Sequence, residues 1–188
     1  MSSVFISGSS SIKDLPNDVI KSLENIIDKG FEIFVGDVKG VDTLIQQYFC
    51  KKNYTNINIC TIYETPRNLA SNKFKIIQVD YDKNLFGERE KQTYKDEFMT
   101  LNSNYSFVIW DGKSKGSFEN IKRAIISNKK LKVFYSLENR FLDKELLNIE
   151  NITNLYKQNT GYTQTEIYNK IKESKIYTNI NKANEIKK

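Results

Sequence analysis

Short, mostly apolar runs alternate with longer stretches of helical periodicity in the first third of this chain. The apolar runs cover residues 4–7, 31–35 and 57–63, a length and composition typical of buried strands. Between them, residues 19–27 and 41–49 carry apolar side chains at the spacing of one helix face. The order strand, helix, strand, helix, strand predicts a parallel sheet whose strands are joined by crossover helices.

A long, polar and weakly periodic segment at residues 64–87 interrupts this alternation. Loops of this length are often lids or binding loops, and in other proteins they have no fixed structure. Inside the segment, residues 74–79 are apolar enough to predict one extra strand. The alternation then resumes, and a helix, a strand, a helix and a final strand are predicted over residues 88–102, 105–110, 117–128 and 132–135.

The C-terminal part of the chain differs in composition from the rest. It is rich in Asn, Lys, Thr and Tyr, so we expect a domain over residues 1–136, followed by a linker and basic extension over residues 137–188. One short helix is predicted there, at residues 165–176, and it either lies free or pairs two copies of the chain into a homo-oligomer. The net charge is +6, of which residues 151–188 contribute +4. Nucleic-acid binding is therefore not expected for the domain, and the alternative of a nucleic-acid binder would use the lysine-rich tail.

Composition also excludes several kinds of chemistry. The chain contains no histidine, which removes Ser-His and Cys-His nucleophile pairs and most transition-metal sites, and we expect neither a metal nor a cofactor. The two cysteines, Cys50 and Cys60, suit a reduced cytoplasmic protein. No export signal and no apolar run of membrane-spanning length is visible, so we expect a cytoplasmic protein without a membrane partner.

Three of the predicted strands are followed by loops of small residues. Glycine loops that precede a helix expose backbone N–H groups and a positive helix end to anions, although glycine serves simple turns equally well. In an open α/β sheet, such loops meet at one edge, where ligands bind. Three of them in one sheet favour a ligand site, for which the candidates are Gly8, Ser9 and Ser10; Gly36, Asp37, Gly40 and Asp42; and Asp111, Gly112, Ser114, Gly116 and Ser117.

Charged side chains near these loops have two interpretations each. Arg67 and Arg89 offer the planar guanidinium that suits a phosphate, or they are solvated surface charges. Asp42 either accepts backbone N–H bonds that anchor its loop or binds a ribose hydroxyl. Asp37 is expected to face the pocket, and Arg123 is expected at the surface.

The motifs and their order resemble the SLOG superfamily, which includes the Rossmann-like domains of the DNA-processing protein A and LOG types. The matching patterns are Gly-Ser after the first strand, Gly-Asp-x-x-Gly-Val-Asp after the second, and Trp-Asp-Gly-x-Ser-x-Gly-Ser-x-x-Asn-Ile after a later strand. The resemblance covers residues 4–135 and includes Arg89 and Asp96 on the helix before the last motif. It implies an α/β fold with a Rossmann-like parallel sheet flanked by helices, to which this chain adds a short helical C-terminal extension.

The resemblance also implies a nucleotide-derived ligand over the carboxyl ends of the strands. Enzymatic relatives cleave an N-glycosidic bond, whereas other members only sense a cyclic ADP-ribose-type signal in antiviral defence. Asn120 stands where the enzymes have a glutamate, and an amide can bind ribose hydroxyls but cannot move a proton. Glu119 is adjacent but rotated by about 100° around the helix. We therefore expect binding of such a signal without turnover, for sensing or for sequestration; the alternatives are a hydrolase or transferase with a displaced carboxylate at Asp96, Asp111 or Glu119, and a nucleic-acid binder.

Overall fold

The computed structural model describes residues 2–82, 87–163 and 165–166 of the 188-residue chain. The described residues form one seven-stranded sheet, parallel throughout except at its last strand. In chain order the strands are β1 (Ser3–Gly8), β2 (Glu32–Val35), β3 (Ile57–Thr61), β4 (Lys75–Gln78), β5 (Tyr105–Trp110), β6 (Lys130–Tyr135) and β7 (Arg140–Phe141).

Five α-helices flank this sheet in the described part of the chain. They are α1 (Asn17–Asp28), α2 (Val41–Lys51), α3 (Glu88–Leu101), α4 (Lys115–Ile126) and α5 (Ile149–Thr160), and a 3₁₀ helix covers Lys144–Leu146. The strand order is β4-β3-β2-β1-β5-β6-β7. The predicted α/β class, with a Rossmann-like parallel sheet, is therefore confirmed. Because the chain builds outward from β1 in both directions, the strand order reverses between β1 and β5, and ligands of such sheets bind at this switch point.

Alternate residues of β1 show why both faces of the sheet are covered. Val4 and Ile6 pack in a cluster with the apolar side chains of α1 and α2, whereas Phe5 packs on the opposite face with Met99 of α3. A strand buried on both faces must be apolar at nearly every position, which explains the short continuous run in the sequence.

The C-terminal region contributes to the same core. Ile152 and Tyr156 of α5 are buried with Trp110 and Phe118, and the rings of Tyr156 and Phe118 stack at 4.2 Å between centroids. The expected boundary at residue 136 therefore falls inside a continuous hydrophobic cluster, and α5 was not among the predicted helices. The helix predicted at residues 165–176 lies, beyond its first two residues, outside the described residues.

Most predicted elements are present with shifted ends. Helix α4 begins two residues earlier than predicted because Ser114 caps it, and it ends before Asn128, whose φ of 49° is left-handed. The extra strand predicted inside the polar segment is β4. Among the helices of the described ranges, none combines the length and apolar character that a membrane span requires.

Candidate functional site

A cavity of about 250 Å³ opens at the carboxyl end of β1, between α3 and α4. This is the place where the strand order reverses, as expected for ligand binding in an open parallel sheet. Its walls come from β1, the loops after β1 and β2, the segment after β3, helix α3 and the start of α4. The lining residues are Phe5, Ser7, Gly8, Ser10, Val38, Asp42, Arg67, Arg89, Gln92, Lys95, Asp96, Met99, Ser114, Gly116, Ser117 and Asn120.

Asp111 shapes the loop between β5 and α4 instead of facing the cavity. One carboxylate oxygen accepts the backbone N–H groups of Lys113 and Ser114 at 2.9 and 2.7 Å, and the other accepts the hydroxyl of Ser11 at 2.6 Å. Burial alone would raise the pKa of Asp111, but these hydrogen bonds lower it below its usual value. The carboxylate is thus a structural anchor of the loop.

Gly112 is also turned away from the cavity. Its φ is +75°, and a Cβ at this position would lie 2.9 Å from both Tyr135 and Asn159. The glycine is therefore required by the close packing of α5 against this loop. Direct phosphate contact through Gly112, which the sequence suggested, has no support in its position.

The start of α4 is tied to the end of β1 by three serines. Ser114 caps the helix by accepting the N–H of Ser117 at 3.4 Å. The hydroxyls of Ser9 and Ser117 lie 3.2 Å apart, and Ser9 also accepts the N–H of Asp111 at 3.1 Å. Ser9 is fully buried in this contact and does not line the cavity, whereas Ser10, Ser114 and Ser117 do. Gly116 lies in the first turn, where backbone N–H groups have no partner within the helix.

Asp37 lies beneath the cavity and does not line it. Its carboxylate is fully buried and is bound by the Lys95 ammonium at 3.0 Å, by Arg67 Nη2 at 2.7 Å and by the hydroxyl of Thr61 at 2.9 Å. Burial would raise its pKa, but the hydrogen bonds from Arg67 and the charge of Lys95 hold the pKa of Asp37 well below its usual range. The expectation that Asp37 faces the pocket therefore does not match its position.

Two glycines of the loop after β2 are explained by packing between loops. A Cβ on Gly36 would lie 2.3 Å from Oδ2 of Asp42, and one on Gly40 would lie 2.4 Å from Cα of Ser10. Gly40 also has a φ of +86°. Neither glycine lines the cavity, so both allow the loops to approach each other and leave the ligand contact to their neighbours.

Two carboxylates do line the cavity. Asp42 is buried, and Oδ2 accepts the N–H of Val38 at 3.2 Å. Burial raises the pKa of Asp42 to about 7, although the nearby charge of Lys95 lowers it in part. Asp96 is half-buried, and its carboxylate makes no hydrogen bond or ion pair with any residue of the described ranges.

The two candidate arginines differ in how their side chains are held. Arg67 is held by Asp37, donates to Gln92 at 3.1 Å, and lies over the ring of Tyr63 at 5.0 Å. Arg89 is about half exposed, and its guanidinium lies so close to Gly116 that an added Cβ would be 3.3 Å away. Arg89 therefore places the guanidinium of α3 at the start of α4.

Asn120 lines the cavity one turn farther along α4. Its Oδ1 accepts a hydrogen bond from Nη1 of Arg123. Arg123 is only 2% exposed, which corrects the expectation of a surface residue, because its guanidinium binds Asn120 near the charges of Asp96 and Glu119 instead of reaching solvent. Glu119 does not line the cavity, and its carboxylate pairs with Arg89 at 3.2 Å.

Ten of the sixteen candidate residues line the cavity, and the other six support it from outside. Sequence reasoning missed the polar residues Ser7, Gln92 and Lys95 at the cavity. In the sequence, Lys95 stands next to Asp96 and resembles one half of an exposed charged pair. In the fold it is buried against Asp37, which lies on another element.

Comparison with known proteins adds no further constraint. No family model, curated protein or solved structure matches this chain. Among the described residues, no group of three or more His, Cys, Asp or Glu is arranged to hold a metal ion. The functional argument therefore depends on the geometry of the cavity.

Proposed function

We propose that the protein binds a nucleotide or nucleotide-derived signal in this cavity without converting it. The observation that carries the proposal is the position of the cavity, at the switch point of a parallel sheet and against the first turn of α4. The sugar-phosphate part of such a ligand requires hydrogen-bond donors and a cation. Both are present where α4 begins, at the N–H groups of its first turn and at Arg89.

The remaining walls suit the other parts of a nucleotide. Asp96 and Asn120 offer an acceptor and a donor to ribose hydroxyls. Phe5, Val38 and Met99 give the cavity an apolar side, which fits one face of a base. Such a mixture of apolar walls with a few convergent polar groups is typical of small-molecule sites.

The size of the cavity favours one nucleotide unit inside it. Small-molecule sites usually have roughly 300–1,000 Å³, and this cavity of about 250 Å³ lies just below that range. A cyclic ADP-ribose-type molecule would then place one half in the cavity and the other half toward the mouth. A protein that binds such a signal would sense it for a partner or sequester it.

The proposal is tested with AMP, ADP-ribose and cyclic ADP-ribose as probes. We expect a thermal shift with at least one of them and no free base in the mixture by chromatography. No shift with any probe would reject nucleotide binding, and rapid release of base would reject binding without turnover.

A glycine variant tests the contact with α4. We expect Gly116→Val to weaken binding of the active probe at least tenfold, because the side chain occupies the space between the first turn and Arg89. Gly87→Val is the matched control, since Gly87 has an extended backbone and does not line the cavity. Equal binding by both variants would show that the start of α4 is only a turn.

A specific observation favours one second function, an N-glycosidic hydrolase or transferase. Asp42 and Asp96 both line the cavity, and burial raises the pKa of Asp42 to about 7, so that its protonated and ionised forms are both well populated at neutral pH. A carboxyl that can hold a proton, in one cavity with a second carboxyl, is the arrangement that an acid with a base or nucleophile requires. Base release that is lost in both Asp42→Asn and Asp96→Asn would select this function.

A further inference from the structure

Arg123 is a buried cation in a position where its sequence neighbours suggest exposure. It is 2% exposed, its Nε has no hydrogen-bond partner among the described residues, and burial lowers its pKa. The charges of Asp96 and Glu119 offset the cost of burying it. A buried guanidinium is costly unless it is paired, so its contacts require an explanation.

The hydrogen bond from Arg123 determines which way the amide of Asn120 faces. Arginine has only donors, so the atom that it contacts must be the amide oxygen and not the nitrogen. The NH₂ group of Asn120 is then turned away from Arg123, and it has no partner among the described residues. Because Asn120 lines the cavity, its two N–H bonds are presented there as donors.

A second polar group without a partner among the described residues lines the same cavity. Ser7 is 4% exposed and lines the cavity, and its hydroxyl makes no hydrogen bond within the described chain. A buried hydroxyl without a partner is unusual in a folded protein. A ligand atom at this place would remove the deficit.

The register of α4 against β1 brings Ser7 and Asn120 together. The hydroxyls of Ser9 and Ser117 are 3.2 Å apart. From this contact, three residues of helix advance about 4.5 Å toward Asn120, and two residues of strand lead back about 6.6 Å to Ser7. Since α4 returns antiparallel to the strands, both steps run in the same direction, and they end within about 2 Å of each other along it.

We infer that Ser7 and Asn120 form a subsite for an acceptor oxygen of the ligand, and that Arg123 is the positioning residue that holds Asn120 as a donor. The inference rests on the proposed function for the identity of the ligand. It makes a narrower claim about the ligand, which places an oxygen with free lone pairs beside Ser7 and Asn120. Arg123 acts only through Asn120 and does not touch the ligand.

The positioning role is measured first without any ligand. The side-chain NH₂ resonances of Asn120 are identified in ¹⁵N–¹H spectra of the full chain by their absence in Asn120→Asp. We expect ¹⁵N relaxation to show a rigid side-chain amide in the wild type and in Arg123→Lys, and a mobile one in Arg123→Met. A mobile amide in the wild type would overturn the positioning role.

The subsite is then measured by titration with AMP and with ribose 5-phosphate. We expect the Asn120 NH₂ resonances to shift on binding, and affinity to fall at least tenfold in Asn120→Asp, which keeps a partner for Arg123 but removes the donors. Arg123→Met should weaken binding by a similar factor, and Arg123→Lys by no more than a few-fold. Wild-type affinity in Asn120→Asp would overturn the subsite.

The two proposals fail in different ways. If neither probe shifts any resonance of the folded protein, these probes are not ligands and the proposed function loses its support, while the relaxation of Asn120 still decides the role of Arg123. If the backbone amide resonance of Gly116 shifts on titration but the Asn120 NH₂ resonances do not, nucleotide binding stands and the acceptor-oxygen subsite is rejected.

Discussion

At the scale of single residues, two carboxylates near the cavity have pKa values shifted in opposite directions. Asp37 is paired with Arg67 and Lys95, which hold its pKa well below the usual range despite its burial. Asp42, five positions later, is buried with fewer hydrogen bonds and cations to stabilise its charge, and its pKa is raised to about 7. Stability should therefore depend on pH through both groups, with opposite signs.

The sign for Asp42 gives a first prediction. An unfolded aspartate titrates near 3.9, so the stabilising contribution of Asp42 is complete below that pH and is lost as pH rises to about 7. The side chain of Asp42→Asn cannot ionise. The free energy of unfolding of this variant, relative to that of the wild type, should therefore increase between these pH values, by a few kcal/mol at most. Urea unfolding of both proteins at pH 4.5, 6 and 8 measures the difference. A difference that shrinks as pH rises would contradict the raised pKa.

A second prediction concerns Ser7, whose buried hydroxyl lacks a partner in the described chain. Ser7→Ala removes an unsatisfied polar atom and should stabilise the free protein by about 1 kcal/mol, while weakening AMP binding. Ser106→Ala is the matched control, because Ser106 on β5 also has an unpaired buried hydroxyl but does not line the cavity. Thermal unfolding and calorimetric titration of both variants separate the two effects. Equal loss of affinity in both would show that Ser7 has no specific contact.

At the scale of elements, α3 and α4 are joined beside the cavity by the ion pair of Arg89 with Glu119. Glu119 also lies 3.6 Å from Lys115. A ligand phosphate at the start of α4 would compete with Glu119 for the same guanidinium. The pair therefore links the two helices and at the same time opposes anion binding at Arg89.

This competition gives a third prediction. Glu119→Gln should raise the affinity for AMP about two- to fivefold, the range that a part-exposed ion pair of up to roughly 1 kcal/mol allows. Glu138→Gln, which breaks the pair with Arg140 at β7, is the control and should leave affinity unchanged. Calorimetric titration at low salt measures both. A loss of affinity in Glu119→Gln would mean that Glu119 holds Arg89 in its binding position.

The fourth prediction concerns α5, which the sequence pattern did not reveal as part of the core. Tyr156 is 3% exposed and stacks on Phe118, so Tyr156→Ala should cost about 3–5 kcal/mol of unfolding free energy. Leu137→Ala, at a side chain that is 53% exposed, should cost far less. Urea unfolding of the two variants compares them, and similar small losses would place α5 outside the cooperative core.

Deletion of the same helix tests the domain boundary directly. Removing residues 149–188 should yield insoluble or unfolded protein, because Trp110 and Phe118 lose their cover. Removing residues 167–188 leaves every contact described for α5 in place and serves as the control.

The elements also show what sequence can and cannot predict. Strands β1 to β6 and helices α1 to α4 follow from apolar periodicity, which is a local property, whereas the two-residue strand β7 was not predicted. Helix α5 carries local signals as well, since Asn148 caps its start and Gly161, with a φ of 69°, ends it. Its few apolar residues lie in an Asn- and Lys-rich background, which obscured the helical stripe. By contrast, the burial of Lys95 depends on Asp37 from a distant loop, and no local pattern contains that contact.

At the scale of the whole molecule, the loops that end β1, β2 and β5 meet at one edge of the sheet. The sequence predicted this meeting, and it brought together ten of the sixteen candidate residues. It could not separate residues that touch the cavity from those that support it, such as Asp37 and Gly112. That distinction depends on side-chain direction and on packing between elements that are far apart in the chain.

The central position of β1 has a thermodynamic consequence. Phe5, Ser7 and Gly8 line the cavity, and the strand that carries them is paired on both sides. Such a strand usually opens only when the whole domain unfolds, so the binding site is lost by global unfolding and not by local fraying. Its full binding free energy would then add to the stability of the domain, about 2.7 kcal/mol at a concentration of 100 Kd. When the cavity is occupied, amide hydrogen exchange in distant strands would slow together with that of β1, so that ligand binding is detected throughout the sheet.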